Sequence, residues 1–347
     1  MNWLAWQQHK KQFLLLGISL LVFTAIVIPS GLHYWHQYNQ LLTNCDGVAS
    51  CVQHGLGNTF SAEGNGQFYL LFHLVQIAVV ASPVLLGLFL GVPLIANEYI
   101  DGTNKFIWTR SISRRKWLTV KLVWILGVSI IFASILAALA TWWFRTSNAL
   151  YTYGNDSALG ILNRFGKLSF DVQGLTPIAY TFFMVSLGIA FGAWLKRILL
   201  AFGVTLAALV LLQGIIPNLI RPHYESPQTD NVTLVSAIHS ANILSPPDPT
   251  GAGSSWAISG SVVNDKTGQS QSMDSLLSNP PATCVETLNR GPKQGFPCLQ
   301  SLGYHWVVRY QPAHRYWNFQ RIEAGLYVTL GLIPIGATYW LVLKRDA

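Results

Sequence analysis

The stretch from Leu94 to Lys121, LIANEYIDGTNKFIWTRSISRRKWLTVK, lies between two long apolar runs. It carries Lys105, Arg110, Arg114, Arg115, Lys116 and Lys121 against only Glu98 and Asp101. That excess of Lys and Arg in a short loop between apolar segments marks the cytoplasmic side of a membrane. Ala96–Tyr99 and Ser111–Trp117 have helix-compatible compositions, and Gly102 with Thr103 offers a bend and an N-cap between them. The reading is a short cytoplasmic helix, a turn, and a basic segment that re-enters the membrane.

Composition supports a membrane setting. Apolar residues make up 51% of the chain and charged residues only 10%, against about 25% charged in globular domains. The net charge of +8 matters less than where it sits. Segments assigned as cytoplasmic hold 12 of the 22 Lys and Arg and 3 of the 14 acids, whereas the longer external segments hold 10 and 11. The basicity is therefore topological, and nucleic acid is excluded as a partner.

About 20 helical residues cross a hydrocarbon core roughly 30 Å thick. Six uncharged runs meet that length: Phe13–Leu32, Phe68–Ile95, Leu122–Trp143, Leu175–Trp194, Ile198–Ile220 and Ala324–Leu343. Residues 1–12, with Trp3, Trp6, Lys10 and Lys11, read as an interfacial segment. A signal peptide is the alternative there, but the first run is long for an h-region. His33–Gln67 has no Lys or Arg and reads as an external loop. Pro83 and Pro93 are positioned to kink the second span. Phe144–Gly174 reads as a second external loop, although its Arg145, Arg164 and Lys167 run against the charge rule. Lys196-Arg197 allows only a tight turn, so the fourth and fifth spans are antiparallel neighbours. Lys344-Arg345 places the C-terminus inside, and Trp3, Trp6, Trp35, Trp117, Trp143, Trp194, Trp317 and Trp340 cluster at span ends as interfacial anchors.

Residues 221–321 are too long for a simple connection and read as a small external domain. Trp256–Asn264 alternates like a strand and ends at Asp265-Lys266-Thr267-Gly268, which predicts a hairpin; Tyr304–Tyr310 is a second strand candidate. Cys45, Cys51, Cys284 and Cys298 all fall on the external, oxidising side. Their short separations favour Cys45 with Cys51 and Cys284 with Cys298, although four cysteines permit three connectivities. A zinc site with His33 or His54 is a further alternative, against the usual ligand spacing.

The chain has no P-loop, no H-E-x-x-H and no G-x-S-x-G, so neither enzymatic chemistry nor nucleotide binding of its own is expected. No acid or arginine is expected near a membrane midplane, where ion-driven transporters place them. Polar residues inside the spans are few: His73, Gln76 and Gln213 either line a substrate path or satisfy one another's helices. Lys121 is expected to snorkel to the interface, and Glu323 to pair with Arg321 or Arg315. Gly87-xxx-Gly91 and Gly188-xxx-Gly192 allow close helix approach, within one chain or between subunits.

Two strings carry a family resemblance. Pro93-Leu94-Ile95-Ala96, Glu98, Gly102-Thr103, Trp108-Thr109-Arg110-Ser111 and Ser113-Arg114-Arg115 together resemble the segment after the second span of ABC type-2 exporter permeases. Tyr310-Gln311-Pro312-Ala313-His314-Arg315-Tyr316-Trp317-Asn318-Phe319-Gln320, followed by Ile322-Glu323-Ala324-Gly325, resembles the approach to the last span in the actinobacterial members. One departure is Asn97, where an arginine is frequent.

The resemblance implies an all-α integral membrane protein of the type V fold. It would have six transmembrane helices, a cytoplasmic coupling helix and a small, partly β, extracellular domain between spans five and six. The domains are then 1–12, interfacial; 13–220, spans one to five with the coupling loop 96–117; 221–321, extracellular; and 322–347, the sixth span and tail. Glu98, Asp101, Gly102, Thr103, Trp108, Arg110, Arg114 and Arg115 would dock a separate ABC ATPase. Two ATPase copies would bind ATP and Mg, with no cofactor in this chain. A second permease subunit and membrane lipid complete the partners, in a bacterial plasma membrane with both termini cytoplasmic. The activity implied is ATP-driven export of a hydrophobic or amphipathic compound such as a drug, peptide or lipid-like molecule. The rival is a membrane-anchored receptor or immunity protein that binds an extracellular ligand without moving it.

Overall fold

A computed structural model describes residues 2–46, 48, 51–52, 66–100, 102, 113–153, 163–239, 244, 246–247 and 255–345. Among them, six helices are long and apolar enough to cross a membrane: Lys10–Asn44, Gly66–Ile100, Arg114–Thr146, Thr176–Leu195, Ile198–His223 and Ala313–Lys344. The expected count holds, and the chain is a multi-pass membrane protein. The two ends of the bundle differ in content: the basic end carries Glu98 and Arg114, the opposite end the disulfides.

Three helices run further than their apolar stretches. The first extends from Asn2 to Asn44, so the expected loop after Leu32 begins as helix. Tyr34 and Tyr38 there are buried, and the Tyr34 ring meets Phe68 at 4.8 Å and Trp143 at 6.4 Å, both edge-on. The third runs from Arg114 to Tyr153, turning the start of the expected loop after Trp143 into helix. Arg145 on that extension lies over the rings of Trp35 and Trp142, at 4.4 and 4.6 Å. Its charge is held by aromatic faces, which accounts for its departure from the charge rule. The sixth starts at Tyr316, because Tyr316 and Phe319 are buried with Phe165 and Phe170 in an aromatic cluster.

The second and fourth spans form the centre of the bundle, while the first and fifth leave most of their apolar surface exposed. The fourth packs most extensively on the sixth, with Tyr327 at 5.1 Å from Tyr180 and 5.9 Å from Phe183. The Gly pairs of the second and fourth spans meet each other within the chain. A Cβ on Gly188 or Gly192 would collide with the carbonyls of Gly87 and Val92, and one on Gly87 would lie 2.7 Å from the Met184 carbonyl.

Between the fifth and sixth spans a four-stranded antiparallel sheet has the order β1-β4-β2-β3, with β1 Gln228–Val232, β2 Trp256–Asn264, β3 Ser270–Gln271 and β4 Tyr304–Gln311. β2 and β3 form the expected hairpin, and β4 is the second expected strand. β1 was not legible: QTDNV has no apolar alternation, and its place comes from backbone pairing with β4, Gln228 opposite Tyr310. Short helices Met273–Ser278, Val285–Asn289 and Pro292–Ser301 cover one face, burying Val262, Met273, Phe296, Leu299 and Trp306. The disulfides are Cys45–Cys51 and Cys284–Cys298, which leaves no thiolate for zinc.

Candidate functional site

The basic end is built around a break in the second span. Pro93 has no N–H, so the Phe89 carbonyl loses its α-helical donor. The chain widens into a π-helical turn over Gly87–Gly91, where the Val92 N–H donates to the Gly87 carbonyl at 3.0 Å. Gln12 of the first span donates its Nε2 hydrogen to the Phe89 carbonyl at 3.3 Å. A side chain thus repairs the backbone group that proline frees, as the absence of water in a bilayer requires.

Past this break, helix Pro93–Ile100 packs on the fourth span, and its Glu98 reaches Lys121 of the third span to form an ion pair. Both are buried, at 7% and 6% exposure. The Lys121 ammonium also lies 5.0 Å from the centre of the Trp117 ring. Lys121 therefore does not snorkel: helix Pro93–Ile100 covers it and supplies the carboxylate that a buried ammonium needs. One residue on, the Tyr99 ring receives the Lys196 ammonium at 4.4 Å. Lys196 ends the fourth span with a left-handed φ of 53°, so the turn into the fifth span is fastened to the same short helix.

Gly102 is exposed with φ +67°, a conformation that favours glycine. Asp101, Thr103, Trp108 and Arg110 lie outside the described residues. Ser113 restarts the chain as a helix cap: its Oγ accepts the Lys116 N–H at 3.4 Å and its carbonyl accepts the Trp117 N–H at 3.1 Å. Arg114 is half-buried, and Arg115 and Lys116 are exposed. The basic end thus offers cations outward, while Glu98 and Lys121 stay inside.

The three polar candidates inside the spans have separate partners. Gln76 is buried and donates to Ser169 Oγ at 3.1 Å. His73, half-buried, meets Tyr69 edge-on at 4.5 Å. Gln213, half-buried on the fifth span, meets the Tyr180 side chain of the fourth.

The opposite end holds a second buried charge cluster. Arg221, at the end of the fifth span, is 1% exposed and Glu323 on the sixth is fully buried. The guanidinium forks onto Glu323, Nε to Oε2 at 2.8 Å and Nη2 to Oε1 at 2.6 Å, and Nη2 also donates to Asp171. Tyr224 donates to Glu323 Oε2 at 3.1 Å, and the Phe170 ring lies 4.2 Å beneath the guanidinium. Glu323 thus pairs with Arg221 rather than with Arg321 or Arg315; Arg315 is engaged with Glu225 at 2.9 Å. Two carboxylates share one cation, and burial, reinforced by Glu323, pushes Asp171 up to about 7 against the pull of Arg221.

Next to it, Gln320 is fully buried and its Oε1 accepts three hydrogens: Leu175 N–H at 3.0 Å, Thr176 N–H at 3.0 Å and Thr176 Oγ1–H at 2.8 Å. A residue of the sixth span caps the start of the fourth. Arg221, Asp171 and Gln320 were missed as site residues; the only signal was a charge at each end of two neighbouring apolar runs. Among the described residues, no group of three or more His, Cys, Asp or Glu could hold a metal.

Residues 17–221 match the family model described as ABC-2 membrane transporter related. The match covers the first five spans and ends at Arg221, before the sheet. No curated protein and no solved structure matches the chain.

Proposed function

Because the chain belongs to the ABC-2 membrane transporter related family, we propose that it is the membrane-spanning permease subunit of an ATP-driven exporter. A separate ABC ATPase, in two copies with ATP and Mg, docks on the basic end between Leu94 and Lys121. A second permease subunit completes the assembly. The basic end then faces the cytoplasm, with both termini, and the sheet domain faces outward from a bacterial plasma membrane. The exported compound is hydrophobic or amphipathic.

The observation that carries this reading is the fastening of helix Pro93–Ile100. Glu98 holds it to the third span through Lys121, and Tyr99 holds it to the fourth-to-fifth turn through Lys196. A force applied at residues 96–117 therefore moves four spans together, as a coupling lever must. Alternating access follows as the ATPases close on two such levers. The exposed Arg115 and Lys116 supply the positive surface for docking.

The test is copurification with the ATPase from the native membrane, followed by reconstitution. Arg115→Glu with Lys116→Glu should weaken ATPase association at least tenfold. Glu98→Gln should preserve association while reducing substrate-stimulated ATP hydrolysis. Unchanged stimulated hydrolysis in all variants, or no associated ATPase, would overturn the proposal.

A further inference from the structure

A cavity of about 350 Å³ opens between the first, second and third spans, within the range of small-molecule sites. Leu86, Phe89 and Phe132 are among its apolar lining, and Gln12, Ser19 and Ser82 are its polar groups. Among the described residues, no charged side chain lines it.

Its depth follows from the second span. Phe68 stacks on Trp143 at 5.8 Å, at the end opposite the basic segment. Phe89 lies 21 residues on, about 31 Å at 1.5 Å per residue, one hydrocarbon thickness away. Gln12 and Phe89 therefore sit at the edge of the leaflet on the basic side, and Ser82 lies about 10 Å toward the midplane. At the Gln12 mouth the first helix carries Lys10 and Lys11, both exposed. Glu98, the described acid of this end, is occupied by Lys121.

We infer that this cavity binds the alkyl chain of a single-chain anionic amphiphile, with its acidic headgroup beside Lys10 and Lys11. The apolar wall takes the chain, the Gln12 amide takes the polar junction, and the paired lysines select an anion over a cation. Leu15, which also lines the cavity, is 65% exposed, so the cavity is open to the bilayer and a chain can enter sideways. This deepens the export reading by naming its substrate class: an amphiphile gathered from the leaflet beside the ATPase.

The experiment is photolabelling of the full chain in nanodiscs with a diazirine-bearing hexadecanoate, and peptide mapping by mass spectrometry. Label should fall within residues 12–19, 82–90 and around Phe132, and unlabelled hexadecanoate should compete while hexadecylamine does not. Leu15→Trp and Ser19→Phe, at exposed positions that fill the cavity without disturbing the core, should each reduce labelling at least fivefold. Leu211→Trp on the exposed face of the fifth span should leave it unchanged. Lys10→Glu with Lys11→Glu should cut labelling at least threefold and spare labelling by a diazirine hexadecanol. Label spread evenly over exposed faces, indifference to the filling variants, or displacement by raising the phosphatidylglycerol content would overturn the inference, the last marking a bulk-lipid site. No ATPase enters the assay, so loss of ATPase association would sink the transport reading while leaving this result intact.

Discussion

The guanidinium of Arg221 grips the carboxylate of Glu323, 102 positions away in sequence beyond the sheet domain, in a two-pronged bond with contacts of 2.8 and 2.6 Å. The pair closes the base of that domain where the fifth span leaves the membrane and the sixth returns. Removing one partner of a buried pair leaves an uncompensated charge, which costs about 3–5 kcal/mol. Arg221→Met, which strands both Glu323 and Asp171, should therefore be the most destabilising change at this end. Arg221→Met with Glu323→Leu and Asp171→Asn should recover most of the loss. Thermal unfolding of the detergent-purified protein checks the order; a single variant no worse than the triple would contradict it.

Asp171 gives that cluster a pH dependence. Its folded pKa is raised to about 7 from an unfolded value of about 3.9. Between those values the folded state holds a proton that the unfolded state has lost, so stability falls as pH rises. The contribution is complete below about pH 4 and lost as pH passes 7, at up to about 1.4 kcal/mol per pH unit. Asp171→Asn fixes the neutral form. The midpoint of wild type relative to Asp171→Asn should be highest near pH 4 and decline toward pH 8, and a flat difference would show that Asp171 is ionised throughout.

Glu98 and Lys121 should behave as one unit. Lys121→Met leaves Glu98 buried at 7% exposure without its cation, and Glu98→Gln leaves the ammonium with a weaker acceptor. Each should destabilise by a few kcal/mol, and the double variant by less than the sum of the two. A thermodynamic cycle on the purified chain measures the coupling; additive losses would mean that the two side chains are not paired in solution.

The spans were legible because each is a local requirement: an uncharged helical run of sufficient length, with Trp at its ends. The hairpin and β4 were legible through alternation and turn chemistry. What escaped depends on which helices are neighbours. Sequence proximity points Glu323 to Arg321 or Arg315, but residues two apart on a helix do not face each other, and Arg315 is taken by Glu225. Its real partner stands on another span. Lys121 was expected to reach water because the covering helix Pro93–Ile100 is invisible in a one-dimensional reading. The helical extensions past Leu32 and Trp143 escaped because Tyr34 and Arg145 are held there by rings from other spans, with no periodic pattern of their own.

Gln320 supplies the sharpest separation of shape from chemistry. Its Oε1 takes three donors at the start of the fourth span, while its Nε2 donates to the Phe170 carbonyl at 3.0 Å. Gln320→Leu keeps the volume and abandons all of these groups in a dry site, where each unsatisfied group costs about 1–3 kcal/mol. Gln320→Glu keeps an acceptor for the span and loses the donor to Phe170. The helix N-terminus favours the added negative charge, but Asp171 and Glu323 nearby oppose it. Gln320→Leu should therefore destabilise most, and Gln320→Glu should fall between it and wild type, improving as pH is lowered and the new carboxyl protonates to donate again. Hydrogen exchange at the amides of Leu175 and Thr176 reads the cap directly. Both should lose protection in Gln320→Leu, and retained protection there would mean that another group caps the fourth span.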